Sequence, residues 1–542
     1  MAKFNHRLLL IIVVLCFGSA VGVAAQTNTQ TFTGSINNAQ PSRFYEFELV
    51  QGQAILAVVE ATSGTLDTYL ILRDPSGRTV AENDDLDLGI ITDSALGAVA
   101  AQTGAYELEV TRYPEGSSSG NYSLEVTIGD PEILERLSEL IVRITLSGPE
   151  QVLDTPHFRI HYTTSGADAA TSEFVSKVAQ AAEEFYEIQI NRLGWAIPPS
   201  DQMLGGNDLY DVYITDVIGD GEGSLGYTSP ETIVGDNPNT LEIEQDAATS
   251  YLVIDNDYTT TDTSDPTGLM RATFTHEFNH ALQFGYDGNE THNWMYESTA
   301  TWMETASAGK DQDATGYVEY AYQYPEICFG TTSDPGDGQL QYGDWTFIQM
   351  LADLFGTDAV PTYWEYIAQY QGWDSLTRLL GDHGMTIPEA LAAYRLKNLA
   401  RDYQLAPLFH AAVWIENTIN DTGTWTFTGE GVQELGANYY RFNMPAGVYF
   451  VGASGDAPLE VWAVGVLGDE KLEAIPLERG GFFDTAPYSE VYLMVFNPEF
   501  NADPENCDYA DYNLVVESAV GTPAAPYYIF PATYFQSARS AR

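Results

Sequence analysis

Short runs in which apolar and polar residues alternate occupy both ends of the chain, whereas apolar residues recur at helical spacing through much of its middle. Every second side chain of a strand faces the same side, so each alternating run predicts a β-strand. In the first part of the chain the runs lie at 45–49, 56–58, 69–71, 106–110 and 122–126. Short strands joined by regular turns are typical of a β-sandwich, which we expect over residues 30–130.

The next part of the chain mixes the two patterns. Residues 131–144 predict a short helical connector, within a linker that we place at 131–150. Apolar residues at helical spacing predict one helix, through Phe174, Val178, Ala181, Phe185 and Ile188. Strands are expected around it, at 157–163, 208–217 and 251–255. This mixture predicts an α+β domain, which we place at 151–405.

The remainder of the chain returns to a β pattern after a helical stretch. Residues 343–402 are helical in spacing, and short alternating runs follow from about 410 to 519. These runs predict a second β-rich domain, again a sandwich. Residues 520–542 form a tail rich in Pro, Ala and Tyr.

One predicted helix carries a pattern of ligand-type side chains. Asp265 is suited to cap its N-terminus, Pro266 to begin it, and Gly285 to stop it. Within the helix, His276 and His280 are four residues apart, which places both imidazoles on one face. Histidine is scarce, with 8 in 542 residues, so this HExxH pattern is poorly explained by chance.

The pattern predicts a hydrolytic metal site. Zinc prefers nitrogen and carboxylate ligands in tetrahedral geometry with one position left for water. Bound zinc lowers the pKa of that water to about 7, and an adjacent carboxylate then takes its proton. Glu277, next to His276, has the position of that general base.

A third ligand is expected from the following helix, predicted at 293–304. Glu297 and Glu304 are seven residues apart on one face of it. We favour Glu297 as the ligand. Glu304 is the competing ligand, or a carboxylate that orients a ligating imidazole. For either residue a solvated helix face is the alternative.

These two helices resemble those of the gluzincin metallopeptidases, and more closely the secreted bacterial peptidases of the hyicolysin and immune inhibitor A type. The matching residues are His276, Glu277, Phe278, His280, Gln283, Phe284, Trp294, Glu297, Ala300 and Glu304. The resemblance implies zinc ligation by His276, His280 and Glu297, with Glu277 as the base. It also implies a helical lower lobe, and a strand at 251–255 that forms the sheet edge beside the cleft and aligns an extended substrate. An ordinary core strand is the alternative for 251–255.

The first β-rich unit resembles the bacterial pre-peptidase C-terminal (PPC) domain. The similarity is carried by the runs 66–77, 83–85, 103–106 and 119–122. Members of that family usually follow a protease domain, whereas this unit precedes one. The resemblance therefore implies a binding or stabilising accessory domain.

The beginning of the chain predicts export. Basic residues precede an apolar run at 8–17, and small residues lead to Ala25, as in a secretory signal peptide over 1–25. An uncleaved anchor and lipid attachment at Cys16 are the alternatives. We expect a secreted protein without a membrane anchor after cleavage.

The composition adds charge and redox expectations. The formal charge of −55 excludes nucleic acid and anionic membranes as partners. Calcium is a possible second metal, since oxygen-rich loops occur at 83–87, 220–222, 255–257 and 503–511, although each also suits a solvated turn. Outside the cell Cys328 and Cys507 could form a disulfide, or remain as buried thiols.

We therefore predict a multidomain chain with an N-terminal β-sandwich, a central zincin-type metallopeptidase domain and a C-terminal β-sandwich. The predicted activity is that of a secreted zinc endopeptidase acting on proteins or peptides. The alternatives are a metallo-aminopeptidase, and an extracellular binding protein with a silent zinc domain. A hydrogen-bond donor to the oxyanion of the transition state is also expected. The sequence does not select among four candidates, His292, Tyr296, Tyr342 and His383.

Overall fold

The computed structural model describes residues 27–86, 91–113, 117–141, 143–219, 224–259, 261, 263–332, 338–468 and 471–535. The predicted signal peptide lies outside this range. The chain divides into two compact units, Met1–Asn289 and Glu290–Arg542. The division falls between the two helices that carry the predicted ligands.

The first unit begins with eight strands in two four-stranded antiparallel sheets, ordered β1-β8-β3-β6 and β2-β7-β4-β5. The strands are β1 (Asn28–Ile36), β2 (Arg43–Leu49), β3 (Ala54–Gly64), β4 (Thr68–Arg73), β5 (Thr79–Asn83), β6 (Ser94–Val99), β7 (Gly104–Arg112) and β8 (Gly120–Gly129). Alternate residues of these strands point inwards and form one apolar core between the sheets.

Strand β3 is buried on both of its faces. Ile55 and Val59 belong to the core between the two sheets, whereas Leu56 packs in a second cluster with Leu134 and Leu137. Those two leucines lie in the connector, which forms a 3-10 turn (Pro131–Arg136) and helix α1 (Leu137–Leu140). The connector is thus packed against the first sheet.

A five-stranded mixed sheet follows, ordered β12-β13-β11-β10-β9. Its strands are β9 (Gln151–Asp154), β10 (Phe158–Tyr162), β11 (Tyr210–Thr215), β12 (Gly226–Gly235) and β13 (Ala247–Asp255). Helices α2 (Ser172–Tyr186) and α3 (Pro266–Phe284) pack together, and α3 also contacts β12 and β13. A π-helical turn, Glu187–Arg192, extends α2.

The expectation that residues 251–255 form the sheet edge is wrong. These residues belong to β13, which lies between β12 and β11. The edge is β12, which runs antiparallel to β13 and is interrupted by a register shift after Pro230. Proline cannot donate to a neighbouring strand, which is why it is tolerated on an edge and indicates one.

A buried arginine fixes this edge strand to the connecting segment. Arg143 donates to both carboxylate oxygens of Glu231 on β12, each at 2.6 Å. It also donates to Asp201, at 2.7 Å, and to Asp211 on β11. One guanidinium thus faces three carboxylates, and burial raises the pKa of Asp201 and of Glu231. Removal of Arg143 would leave these acidic groups buried without their cation, which is strongly destabilising.

The second unit begins with helices. They are α4 (Asn293–Ser307), α5 (Ala314–Gln323), α6 (Leu340–Gly343), α7 (Trp345–Phe355), α8 (Ala359–Ile367), α9 (Trp373–Asp382) and α10 (Ile387–Ala400). Within the described part of the chain, every helix is too short or too polar to cross a membrane.

Ten strands complete the second unit in two sheets, ordered β14-β16-β21-β18-β19-β23 and β15-β22-β17-β20. The strands are β14 (Asn417–Ile419), β15 (Gly423–Val432), β16 (Ala437–Phe442), β17 (Val448–Gly455), β18 (Glu460–Leu467), β19 (Lys471–Pro476), β20 (Gly480–Asp484), β21 (Glu490–Phe496), β22 (Ala510–Ser518) and β23 (Tyr528–Pro531). Part of the predicted tail is therefore β23, paired with β19.

Cys328 and Cys507 form a disulfide with an S–S distance of 2.08 Å. It joins the segment after α5 to the segment before β22 and so links the helical part of the second unit to its sheets.

Candidate metal centre

The helix that carries the histidine pair forms as its sequence predicts. The Asp265 carboxylate accepts a hydrogen bond from the N–H of Gly268 at 3.0 Å, and Pro266 occupies the first position. Gly285 ends the helix with φ of −65°, so the end needs no left-handed residue. Every residue from 272 to 283 is buried. The polar residues within that range consequently need partners inside the protein.

His276 and His280 face one another on this helix. Their ring centroids are 4.8 Å apart and the rings are inclined at 78°. The exposed fractions of the two residues are 9% and 8%, and ligand nitrogens of the pair lie within 4.8 Å of each other. The helix therefore directs two imidazoles to one point, as joint ligation requires.

Glu277 lies beside this pair and is held by the edge strand. The Thr228 hydroxyl of β12 is 2.7 Å from the main-chain carbonyl of Glu277 and 3.0 Å from its carboxylate Oε2. A single hydroxyl proton is shared between two acceptors on the same residue. The carboxylate is thus oriented from a strand that is 49 residues away in sequence.

The ring of His280 is held by a hydrogen bond at Nδ1. Nδ1 of His280 lies 2.7 Å from Oε1 of Gln283. Gln283 donates from Nε2 to Asn279 at 3.0 Å, and Asn279 donates to Gln189 at 3.1 Å. All three amides are buried. Because these contacts occupy Nδ1 of His280, a metal held by this ring would be bound through Nε2.

Glu297 and Glu304 lie on α4, in the second unit. Glu304 is 2% exposed, and its Oε2 accepts hydrogen bonds from the N–H groups of Asp313 and Ala314, at 3.2 and 3.1 Å, where α5 begins. Glu297 is half-buried. Burial, together with the negative charges of Asp313, Glu304 and Glu297, raises the pKa of Tyr317 and keeps its phenol neutral.

His292, the first of the four possible oxyanion donors, precedes α4 and is tied to Glu290. Its Nδ1 lies 2.7 Å from the Glu290 carboxylate, and this hydrogen bond raises the pKa of His292. Burial alone would raise the pKa of Glu290, but hydrogen bonds from His292 and the N–H of Gly372 bring it below its ordinary value. The pair is therefore ionic between pH 4.5 and 6.5, the ordinary pKa values of the two groups.

The other three possible donors have different surroundings. Tyr296 is buried. Tyr342 stacks on Tyr317 with ring centroids 5.1 Å apart, and His383 is exposed and stacks on Phe355 at 3.8 Å. The stacking supports packing roles for Tyr342 and His383 and leaves the oxyanion donor a prediction.

Other side chains of ligand type have structural partners. His161, on β10, lies between Glu150 at 2.6 Å and Asp211 at 2.8 Å. Cys328, Glu434 and Cys507 approach one another as metal ligands would, but both sulfur atoms belong to the disulfide.

The oxygen-rich loops receive no support as calcium sites. Within the described residues they supply no group of three converging acidic ligands. The Asp255 carboxylate instead accepts hydrogen bonds from the N–H groups of Ile218, Asp257 and Tyr258. Residues 87 and 220–222 lie outside the described part of the chain.

Two residues of this centre were not predicted, Thr228 and Gln189. Both reach α3 from elements distant in sequence, and a single threonine or glutamine carries no motif. The one available signal was Pro230, which indicates that the strand with Thr228 is an edge.

No protein-family model matches the chain, and no curated protein matches it in sequence. Among solved structures, it is similar to the pre-peptidase C-terminal domain of a collagenase from Bacillus anthracis, with 23% identity over 18% of this chain and 88% of that one and a TM-score of 0.15. The metallopeptidase IMPa from Pseudomonas aeruginosa is 12% identical over 67% of this chain, with a TM-score of 0.21.

The chain spans about half of that metallopeptidase, 45% of its length. A periplasmic inhibitor of g-type lysozyme from Aeromonas hydrophila, PliG, is 15% identical over 20% of this chain and 92% of its own, with a TM-score of 0.15. At such TM-scores none of these similarities carries a functional argument.

Proposed function

We propose that this protein is a secreted zinc endopeptidase in which His276, His280 and Glu297 hold the metal and Glu277 is the general base. The observation that carries the proposal is the arrangement on α3. Two buried imidazoles converge, and the carboxylate next to them is oriented by a hydrogen bond from another element. Export rests on the predicted signal peptide.

The donor set fits zinc. Two neutral imidazoles and one carboxylate are the ligands of many catalytic zinc sites, which retain an open position. Zinc at this position would supply Lewis-acid chemistry, polarising a peptide carbonyl and lowering the pKa of water to about 7.

Glu277 then performs the proton transfers. Its carboxylate takes a proton from the attacking water and later gives one to the leaving amine. Because the Thr228 hydroxyl holds one carboxylate oxygen, the other is left to face the reacting atoms. Orientation of the base by a fixed hydrogen bond reduces the reorganisation needed during the reaction.

Glu297 is the better third ligand of the two glutamates on α4. Glu304 already caps the start of α5 through the N–H groups of Asp313 and Ala314, and this use of its carboxylate competes with ligation. Glu297 is half-buried, and it has the position of the third ligand in the peptidases that these helices resemble. Glu304 remains a carboxylate that stabilises the fold around α4.

The substrate strand is expected to pair with β12 and not with β13. In the described residues β12 is hydrogen-bonded to a neighbouring strand along one side only. Strand β5 packs against β12, with Thr79 beside Gly235, so the stretch proposed for a substrate is the one around Thr228. An extended peptide that adds to this edge would run beside Thr228, and hence beside the base that Thr228 orients. Main-chain pairing of this kind favours an endopeptidase, because it does not require a free terminus.

Hydrolysis of casein by the purified mature protein tests this proposal. We expect cleavage that stops when a chelator removes the metal and returns on addition of zinc, with internal cut sites in the products. Cleavage that persists after complete metal removal would contradict the proposal. Release of single N-terminal residues only would favour the aminopeptidase, and zinc binding without hydrolysis would favour a binding protein.

A further inference from the structure

The π-helical turn after α2 places a glutamine beside the histidine helix. Gln189 is fully buried, and its Nε2 is 2.9 Å from both the carbonyl oxygen and the hydroxyl of Thr275. Thr275 immediately precedes His276, so Gln189 contacts the main chain of the helix at the histidine pair. Such π-helical turns often occur at functional sites.

We propose that Gln189 is a positioning residue that fixes the ring tautomer of His280 through Asn279 and Gln283. This inference rests on the proposed zinc site and extends it. We call the hydrogen-bonded amides of Gln189, Asn279 and Gln283 the relay. The relay holds a proton on Nδ1 of His280, so that Nε2 keeps a lone pair for the metal.

The direction of the relay follows from its far end. A carbonyl oxygen only accepts hydrogen bonds, so the group of Gln189 that faces the Thr275 carbonyl is its NH₂. The amide oxygen of Gln189 therefore faces Asn279 and accepts from Nδ2 at 3.1 Å. One backbone oxygen thus determines the orientation of the first two amides.

The donor and acceptor roles of the remaining groups, up to the imidazole of His280, follow in the same way. Asn279 donates to Gln189, so its oxygen faces Gln283 and accepts from Nε2 at 3.0 Å. The oxygen of Gln283 then faces His280, at 2.7 Å from Nδ1. An amide oxygen next to Nδ1 requires a proton there, which selects the Nδ1–H tautomer in the neutral ring.

Burial makes this direction hard to reverse. Asn279, Gln283 and Gln189 are each fully buried, so bulk water does not compete for their hydrogen bonds. Turning the relay round would place the Gln189 oxygen against the Thr275 carbonyl and leave two acceptors facing each other. Partners that orient a metal-ligating histidine typically change metal affinity by about 10–100-fold when removed.

The test compares Gln189→Met with a matched control, Gln180→Met. Methionine keeps the length of the side chain but removes both hydrogen-bonding groups. Gln180 is exposed on α2, so its replacement makes the same chemical change outside the relay. Two readouts apply: zinc affinity by competition with a chelator, and the tautomer of His280 in metal-free protein.

Histidine-selective ¹⁵N labelling reports the tautomer, and a His280→Gln variant identifies the resonance. We expect the Nδ1–H form in wild type and in Gln180→Met. In Gln189→Met we expect the Nε2–H form to appear and zinc affinity to fall about 10–100-fold. Unchanged tautomer and affinity in Gln189→Met would overturn the inference.

The wild-type spectrum still tests the inference if Gln189→Met does not fold, because a predominant Nε2–H form in wild type would also overturn it. Neither readout uses hydrolysis. A protein that binds zinc through the expected tautomer but cleaves no peptide would refute the proposed function and leave the role of Gln189 supported.

Discussion

Replacement of Thr228 by valine should slow peptide hydrolysis without removing the metal. Valine has the shape of threonine but lacks the hydroxyl that lies 3.0 Å from the carboxylate of Glu277 and 2.7 Å from its carbonyl. A hydrogen bond to a charged group contributes about 1.5–3 kcal/mol. Because one proton is shared between two acceptors, we expect a loss of about 1–2 kcal/mol at the carboxylate.

That energy corresponds to roughly a 5–30-fold fall in kcat. The carboxylate acts in the chemical step and Thr228 is absent from the proposed ligand set, so zinc content should be unchanged, and KM should change less than kcat. The assay is steady-state cleavage of a fluorogenic peptide at equal zinc content. Thr228→Ser retains the hydroxyl and should keep most of the activity. Equal kcat values for Thr228→Val and wild type would refute the orienting role of this hydrogen bond.

Three further predictions concern the second unit. Glu297→Gln should weaken zinc binding by at least about tenfold, whereas Glu304→Gln should leave it within about threefold and lower the thermal midpoint; chelator competition and calorimetry distinguish the two. The Glu290–His292 pair should stabilise the fold most between pH 4.5 and 6.5, the ordinary pKa values of the two groups. The contribution of this pair is lost as pH falls through the lowered pKa of Glu290 or rises through the raised pKa of His292. The difference in free energy of unfolding between wild type and His292→Asn, about 1–2 kcal/mol, should therefore shrink outside that window. Cys328→Ser, which removes the disulfide, should lower the free energy of unfolding by about 2–5 kcal/mol in denaturant titrations, and an unchanged midpoint would contradict this.

The histidine pair could be predicted because its geometry is local. Helical periodicity alone places residues four apart on one face, and capping by Asp265 and Pro266 determines where the helix begins. His276 and His280 therefore come together with little help from the rest of the fold. The mixture of β-rich regions with a helical region was likewise readable from the two apolar periods.

Contacts between distant segments could not be predicted in the same way. Thr228 and Gln189 reach α3 across 49 and 86 residues, and a single sequence carries no signal for such pairs. The sheet edge was assigned to 251–255 because a strand at this point forms the edge in the peptidases that the two helices resemble. That run belongs to β13, whose nine residues Ala247–Asp255 are all buried, and β12 pairs with the side that was expected to be open. Strand β23 was missed because it is short and half exposed, and it gains stability only by pairing with β19.

The most direct measurement of the central claim is peptide hydrolysis by Glu277→Gln and wild type at matched zinc content. Glutamine has the size of glutamate, and the substitution leaves both histidines in place. Its amide, however, cannot accept the proton of the attacking water. We expect wild type to cleave and the variant to lose about 10²–10⁴-fold in rate. Equal rates for the two proteins would contradict the assignment of Glu277 as the general base and, with it, the proposed mechanism.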